Sequence, residues 1–225
     1  MWMTGVWLGI ETTTSTGGAA LVRDGMLLAE EYFPINKTHS EKILPGISRL
    51  LKEADMEAEE IAGIAVSAGP GSYTGIRIGI ATANGLSAGW GIGAVGVETL
   101  RVLAASVTSD HPVLSCIRAR NNEVFAAIYE SSSHEAYAIV PPGVYIASAI
   151  ERKISELDKL TAVGSGKHMI AFPGDVLVTP ALWDTPRPSI VALIGSMKVE
   201  SQGSDKYPVP VYLRGFNEKA NSHVP

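Results

Sequence analysis

Short apolar runs alternate along this chain with longer stretches of helical period, separated by polar or glycine-rich turns. Val6 to Ile10 reads as a strand, and Gly17 to Val22 as a second one after the polar Thr12-Thr13-Thr14-Ser15. Arg23-Asp24-Gly25 predicts a tight hairpin into a third, antiparallel strand, Met26 to Phe33, because Asp-Gly accepts the left-handed backbone such turns need. From His39 to about Ala54, Ile43, Ile47, Leu50 and Leu51 recur at helical spacing, with Leu44 widening the stripe. Pro45 falls in the second turn and predicts a late start or a bend. After the acidic connection Asp55 to Glu60, Ile61 to Ser67 reads as a strand.

The densest signal comes next. Gly69-Pro70-Gly71-Ser72-Tyr73-Thr74-Gly75 must turn sharply, and it opens into a helix running from Thr74 to about Trp90. Such a junction leaves backbone N–H groups at the helix start for a cap, an anion or a partner. Ser72 and Thr74 are the cap candidates. Within the helix Gly75, Gly79 and Ala83 fall four apart, as do Ala81, Gly85 and Gly89. Each interior glycine costs about 1 kcal/mol against alanine, so the small residues imply close approach, either of the helix's own sheet or of a second molecule. Gly93 to Val97 then reads as a strand and Glu98 to Val107 as a helix. The order β-β-β-α-β-α-β-α predicts a mixed sheet with helices on its faces.

The second half is less regular. Val113 to Ile117 and Glu123 to Tyr129 read as strands joined through Asn121-Asn122, and Tyr137 to Val140 as a third. Ile146 to Leu157 predicts a helix, Leu160 to Val163 a strand running into Gly164-Ser165-Gly166, and Ser189 to Glu200 a last helix. Tyr207 to Gly215 is an extended, proline-punctuated tail. Both halves place strands first and helices after, which sets a boundary near Val107 to Pro112 and two units, residues 1–107 and 108–225 with the last helix and tail in the second.

Composition narrows the class. Of 225 residues, 46% are hydrophobic and 18% charged, the balance of a folded protein. The net charge of −5 argues against a protein that grips nucleic acid by itself, since phosphate contacts need a basic surface. The longest apolar stretches break before membrane-spanning length, and Met1-Trp2-Met3-Thr4 does not open a signal peptide. A single cysteine, Cys116 in an apolar run, reads as a buried thiol in a reducing cytoplasm.

No catalytic set emerges from the residues. His39, His111, His134, His168 and His223 include no pair at the i, i+4 spacing of a helical metal site, so no metal is expected. A phosphate-binding P-loop needs Gly-Lys-Ser/Thr where this chain has Thr74-Gly75-Ile76. In the hydrolase elbow one residue separates the first glycine from the serine, whereas Ser72 follows Gly71 directly. Glu11 ends the first strand, where sheet enzymes place functional carboxylates and where solvated glutamates are also common.

Several strings together resemble one family. They are Leu8-Gly9-Ile10-Glu11-Thr12-Thr13-Thr14, His39-Ser40-Glu41 with Leu44-Pro45, Gly69 through Gly79, Gly96-Val97, Ala119 through Phe125, and Tyr212-Leu213-Arg214. Their order and spacing resemble the TsaB (YeaZ) family of bacterial tRNA threonylcarbamoyladenosine biosynthesis, most strongly over residues 6 to 125 and least over 131 to 190. The resemblance implies an actin-like ATPase fold of two ribonuclease-H-like lobes, α/β with a mixed sheet flanked by helices in each, the second reduced. It implies a non-catalytic, cytoplasmic relative of TsaD, the transferase acting on the adenosine beside the anticodon. TsaD binds metal through paired helical histidines; here Ile43 stands where the partner of His39 would fall.

The family's partners are TsaD, the ATPase TsaE, and a second copy in their absence, with tRNA met only indirectly. Carried onto this sequence, the partner surface is His39, Ile43, Ile47, Leu50, Gly75, Ile76, Gly79, Ile80 and Ala83. No cofactor is required, but ATP or ADP at the junction with TsaD and TsaE would meet Glu11, Thr12, Gly69, Gly71 and Ser72. The family usually has Asp where Glu11 and Arg118 stand, so no role is transferred to Arg118 and no phosphate or magnesium geometry to Glu11. The competing reading is an enzyme, a glycoprotease-like peptidase or a small-molecule kinase of the same superfold.

Overall fold

Each half of the chain builds one five-stranded mixed sheet. The computed structural model describes residues 5–34, 39–133, 135–202 and 207–213, with no description of the side chains of 34, 39–41 and 202. In the first half, β1 (Val6–Glu11), β2 (Thr16–Arg23) and β3 (Met26–Pro34) form an antiparallel meander. Asp24 and Gly25 both have positive φ, +50° and +79°, which is the hairpin the Asp-Gly pair predicts. Then α1 (His39–Glu53), β4 (Ile61–Gly69), α2 (Tyr73–Trp90), β5 (Ala94–Glu98) and α3 (Thr99–Ala105) follow. The sheet order is β3-β2-β1-β4-β5, with β1, β4 and β5 parallel. Pro45 lies inside α1, which starts at His39 rather than later.

The second half repeats that topology. β6 (Val113–Arg118), β7 (Glu123–Tyr129), β8 (Ala138–Ile146), α4 (Ala147–Ile154), β9 (Lys159–Val163) and β10 (Asp175–Val178) give the order β10-β9-β6-β7-β8. Two such units are the ribonuclease-H-like lobes of the actin-like ATPase fold. Three details differ from the sequence expectation. β8 continues through Pro141 and Pro142 to Ile146, α4 starts after it at Ala147, and β10 has no counterpart among the strands that the sequence pattern predicts. Both strands are sheet edges, where a missing N–H removes no ladder bond from a central strand.

The last helix, α5 (Pro188–Gln202), follows the second lobe in sequence but packs on the first sheet. Grouping it with residues 108–225 follows chain order, whereas its neighbours are Trp7, Ala65, Val95 and Val97, which meet Val191, Ala192 and Ile194. Two glycines permit the approach. A Cβ on Gly9 would overlap the Pro188 carbonyl oxygen, and one on Gly195 would overlap the Ala65 Cβ. Glu30 of β3 anchors the start of α5, accepting from the Ser189 N–H (2.9 Å), the Ser189 hydroxyl (2.6 Å) and Arg187 Nη2 (3.0 Å). Burial alone would raise the Glu30 carboxyl; the Ser189 and Arg187 hydrogen bonds and the Arg187 charge outweigh it and hold it below its ordinary value. Between the lobes, Leu100, Leu103 and Ala104 of α3 pack with Val113, Ile117, Tyr129 and Val163.

Gly9→Ala and Gly195→Ala are each expected to lower the unfolding free energy by about 1–3 kcal/mol, as overpacking does, measured by urea titration. Because the folded-state value of Glu30 is lowered, its contribution is present above the ordinary value of 4.5 and is lost as pH falls through the folded value. Glu30→Gln should therefore flatten the acid limb of a stability–pH profile; an unchanged limb would exclude this anchor as its source.

Candidate functional site

Because β1, β4 and β5 run parallel, their carboxyl ends at Glu11, Gly69 and Glu98 face the same side, where open α/β sheets receive ligands. Glu11 is fully buried. Its Oε1 accepts from the Thr13 N–H (2.5 Å) and the Thr13 hydroxyl (2.6 Å), and its Oε2 from the Ser67 hydroxyl. Burial dominates and pushes the carboxyl up to about 7, against those hydrogen bonds, which favour the charged form. Thr12 is buried beside it and donates its hydroxyl to the Gly75 carbonyl (2.7 Å).

The glycine-rich turn closes over these threonines. The Ser72 N–H donates to the Thr13 carbonyl (2.7 Å), and the Ser72 hydroxyl caps α2 by accepting from the Gly75 N–H (3.2 Å). A Cβ on Gly71 would overlap the Thr13 carbonyl oxygen, one on Gly75 the Thr12 carbonyl oxygen, and one on Gly79 the Thr12 hydroxyl. The five residues expected to meet a nucleotide therefore do come together. Glu11, Thr12 and Gly69 are buried, Gly71 is half-buried and Ser72 is exposed.

Most of the residues expected at the partner surface lie in the core of the single chain. Gly75, Ile76, Gly79, Ile80 and Ala83 are all buried, and Ile43, Ile47 and Leu50 share the core with Ile76, Ile80 and Ala83. The glycines in that stripe admit the chain's own Thr12, so this face of α2 is already covered. His39 starts α1, but its side chain lies outside the described residues. The open face of α2 carries the other small stripe: Ala81, Gly85 and Gly89 are exposed, and a Cβ on Gly85 or Gly89 would meet nothing within 4 Å. Beside it a groove of about 470 Å³ runs along α1, lined by apolar residues, among them Leu44, Leu51, Leu86 and Trp90, and also by the charged Lys52, Asp55 and Glu57. Leu44 is 50% exposed there. Its apolar character at a helical position was the available signal.

Other groups are structural in their surroundings. Cys116 is buried, and burial first, then the Asp184 charge, raise its thiol. The Gly164-Ser165-Gly166 turn packs on β6, with the Gly166 N–H donating to the Cys116 carbonyl (3.0 Å). Lys167, also buried, pairs with Asp184. Among the described residues no group of three or more His, Cys, Asp or Glu is placed to hold a metal ion, and no helix is long and apolar enough to cross a membrane.

Since the folded-state value of Glu11 is raised from 4.5 to about 7, folding stability attached to this group is full below pH 4.5 and is lost as pH rises through 7. The loss should be on the order of 3 kcal/mol. Glu11→Gln should remove that slope in chemical unfolding measured between pH 4.5 and 8; a slope equal to that of the unaltered chain would contradict the assignment.

Comparison with known proteins agrees with this architecture. The model of the family described as TsaD: tRNA N6-adenosine threonylcarbamoyltransferase matches residues 34–175. The Bacillus subtilis tRNA threonylcarbamoyladenosine biosynthesis protein TsaB is 33% identical over 220 residues, 92% of this chain and 93% of that protein. The Escherichia coli protein of the same name is 33% identical over 61% of this chain and 63% of its own length. Among solved structures, YeaZ from Pseudomonas aeruginosa superposes with a TM-score of 0.79 at 23% identity, covering 93% of this chain and 100% of that one. With a full-length relative at this identity and the same two-lobed fold, the chain belongs to the TsaB (YeaZ) family.

Proposed function

We propose that this chain is a non-catalytic subunit in tRNA threonylcarbamoyladenosine biosynthesis, binding and stabilising a TsaD-type transferase through the open face of α1 and α2. The observation that carries the reading is the groove beside the outward stripe of α2. Apolar side chains of α1, Leu44 and Leu51, stand next to a helix surface stripped of side chains at Gly85 and Gly89. A partner helix can approach such a surface closely and bury Leu44 and Trp90, as ridge-into-groove packing requires. The same face serves a second copy of the chain when the transferase is absent, and a TsaE-type ATPase joins at the junction. An ATP or ADP belongs to the assembled junction, because in the single chain Glu11 is buried and Thr12 is buried against Gly75 in the first turn of α2. The acidic net charge favours tRNA contact through the assembly rather than by this chain alone.

Titration of the purified chain into a TsaD-type transferase, followed by calorimetry, tests the proposal. Gly85→Arg and Leu44→Asp leave the core intact and should each weaken association roughly tenfold or more, about 1.4 kcal/mol. Substitution at Gly79 would not serve, since it strikes Thr12 inside the chain. No association by the unaltered chain, or robust ATP turnover by the chain alone, would sink the subunit reading.

A further inference from the structure

The glycine-rich turn has a second neighbour besides the two threonines. Residues 207–213 run as an extended segment across the carboxyl end of the first sheet. The Val211 N–H donates to the Ala68 carbonyl (2.8 Å), at the irregularity where β4 shifts register against β5. Asn84 Nδ2 donates to the Pro208 carbonyl (3.4 Å). Arg77 Nε donates to the Tyr212 hydroxyl (3.2 Å), the Arg77 guanidinium lies 4.0 Å from the centre of the Tyr73 ring, and the Tyr73 and Tyr212 rings are 5.3 Å apart. Leu213 packs on the cluster between the lobes that holds Leu100 and Leu103. Gly69 is shaped for this passage: its φ is +112°, and a Cβ there would stand 2.6 Å from the Val211 carbonyl oxygen. Tyr73 and Arg77 of the glycine-rich string thus grip the chain's own tail, a use that neither capping nor core packing supplies.

Apart from Pro208, which is buried, the grip is shallow: Val209 is 70% exposed and Tyr207 52% exposed. Pro208 and Pro210 carry no N–H and hold the segment extended, which lowers the chain entropy lost on docking. A segment with few buried apolar contacts opens at a lower free energy than the fully buried strands beneath it.

We infer that residues 207–213 are a removable strap, clamped through Tyr212 by Tyr73 and Arg77, which covers the carboxyl end of the first sheet and on release bares the Ala68 carbonyl and Gly69. The strap has two states, docked and open, without unfolding of either lobe. Docked, it occupies the backbone position at Ala68 that an extended segment of another chain would need.

Native-state hydrogen exchange on the full chain tests this. The Val211 amide should exchange faster than the amides of β1 and β4 and with little dependence on low denaturant concentrations, the mark of local opening. Tyr212→Ala and Arg77→Ala should each speed Val211 exchange roughly tenfold or more while β1 and β4 keep their protection. Tyr212→Phe, which retains the ring and loses the hydroxyl, should fall between. Two outcomes overturn the inference. If Val211 exchanges in step with β1 and β4, the segment is part of the global fold and not removable. If the variants leave Val211 exchange unchanged, the clamp is not the Tyr73–Arg77–Tyr212 cluster.

Discussion

The first turn of α2 rests on the backbone of Thr12 and Thr13 with no room for a Cβ between them. Much of the first lobe follows from that seating. It sets the glycine-rich turn that follows β4 against Thr12 and Thr13, next to the buried Glu11 at the end of β1. It also fixes the rotation of α2 about its own axis. With Gly75 and Gly79 turned down onto Thr12, the stripe of Ala81, Gly85 and Gly89 has no choice but to face outward, beside the apolar flank of α1. A buried polar contact inside the lobe thereby determines which face of α2 is exposed.

This explains what the sequence could and could not disclose. The hairpin at Asp24-Gly25 and the strand–turn–helix junction at Gly69 were legible because their signals are local. The two small-residue stripes of α2 were equally visible, each at a spacing of four, but nothing within the helix says which one faces in. The deciding residue, Thr12, is 63 positions away from Gly75. Glu11 was misleading for a similar reason. A glutamate at a strand end ordinarily meets water, whereas here Glu11 is buried and bonded to Thr13 and to Ser67, 56 positions away. The α2 residues that the family resemblance points to, Gly75, Ile76, Gly79, Ile80 and Ala83, belong to the stripe that faces inward in the single chain. In the second lobe, Pro141-Pro142 read as the end of a strand because a breaker is weighed without knowing whether the strand lies at an edge.

The two lobes share a strand order but are not independent. α5 leaves the second lobe and packs on the sheet of the first, held at its start by Glu30. α3 sits between them, and across the same seam the Arg101 guanidinium lies 4.2 Å from the centre of the Tyr129 ring while the Tyr129 hydroxyl donates to Glu98. A charged and aromatic seam of this kind favours a fixed relation between lobes. A fixed relation between lobes leaves less conformational freedom to be lost if the chain associates with another.

The edges of the second sheet are protected unequally. β8 carries two prolines, so a foreign strand arriving at that edge finds donors missing. β10 has no such device. Its Asp-Val-Leu-Val run is short but apolar, Leu177 is 65% exposed, and Leu182 just beyond it is 86% exposed. On partial unfolding, β10 is therefore the edge of the second sheet more open to pairing with another copy of this chain, and a lysine at position 177 would blunt it.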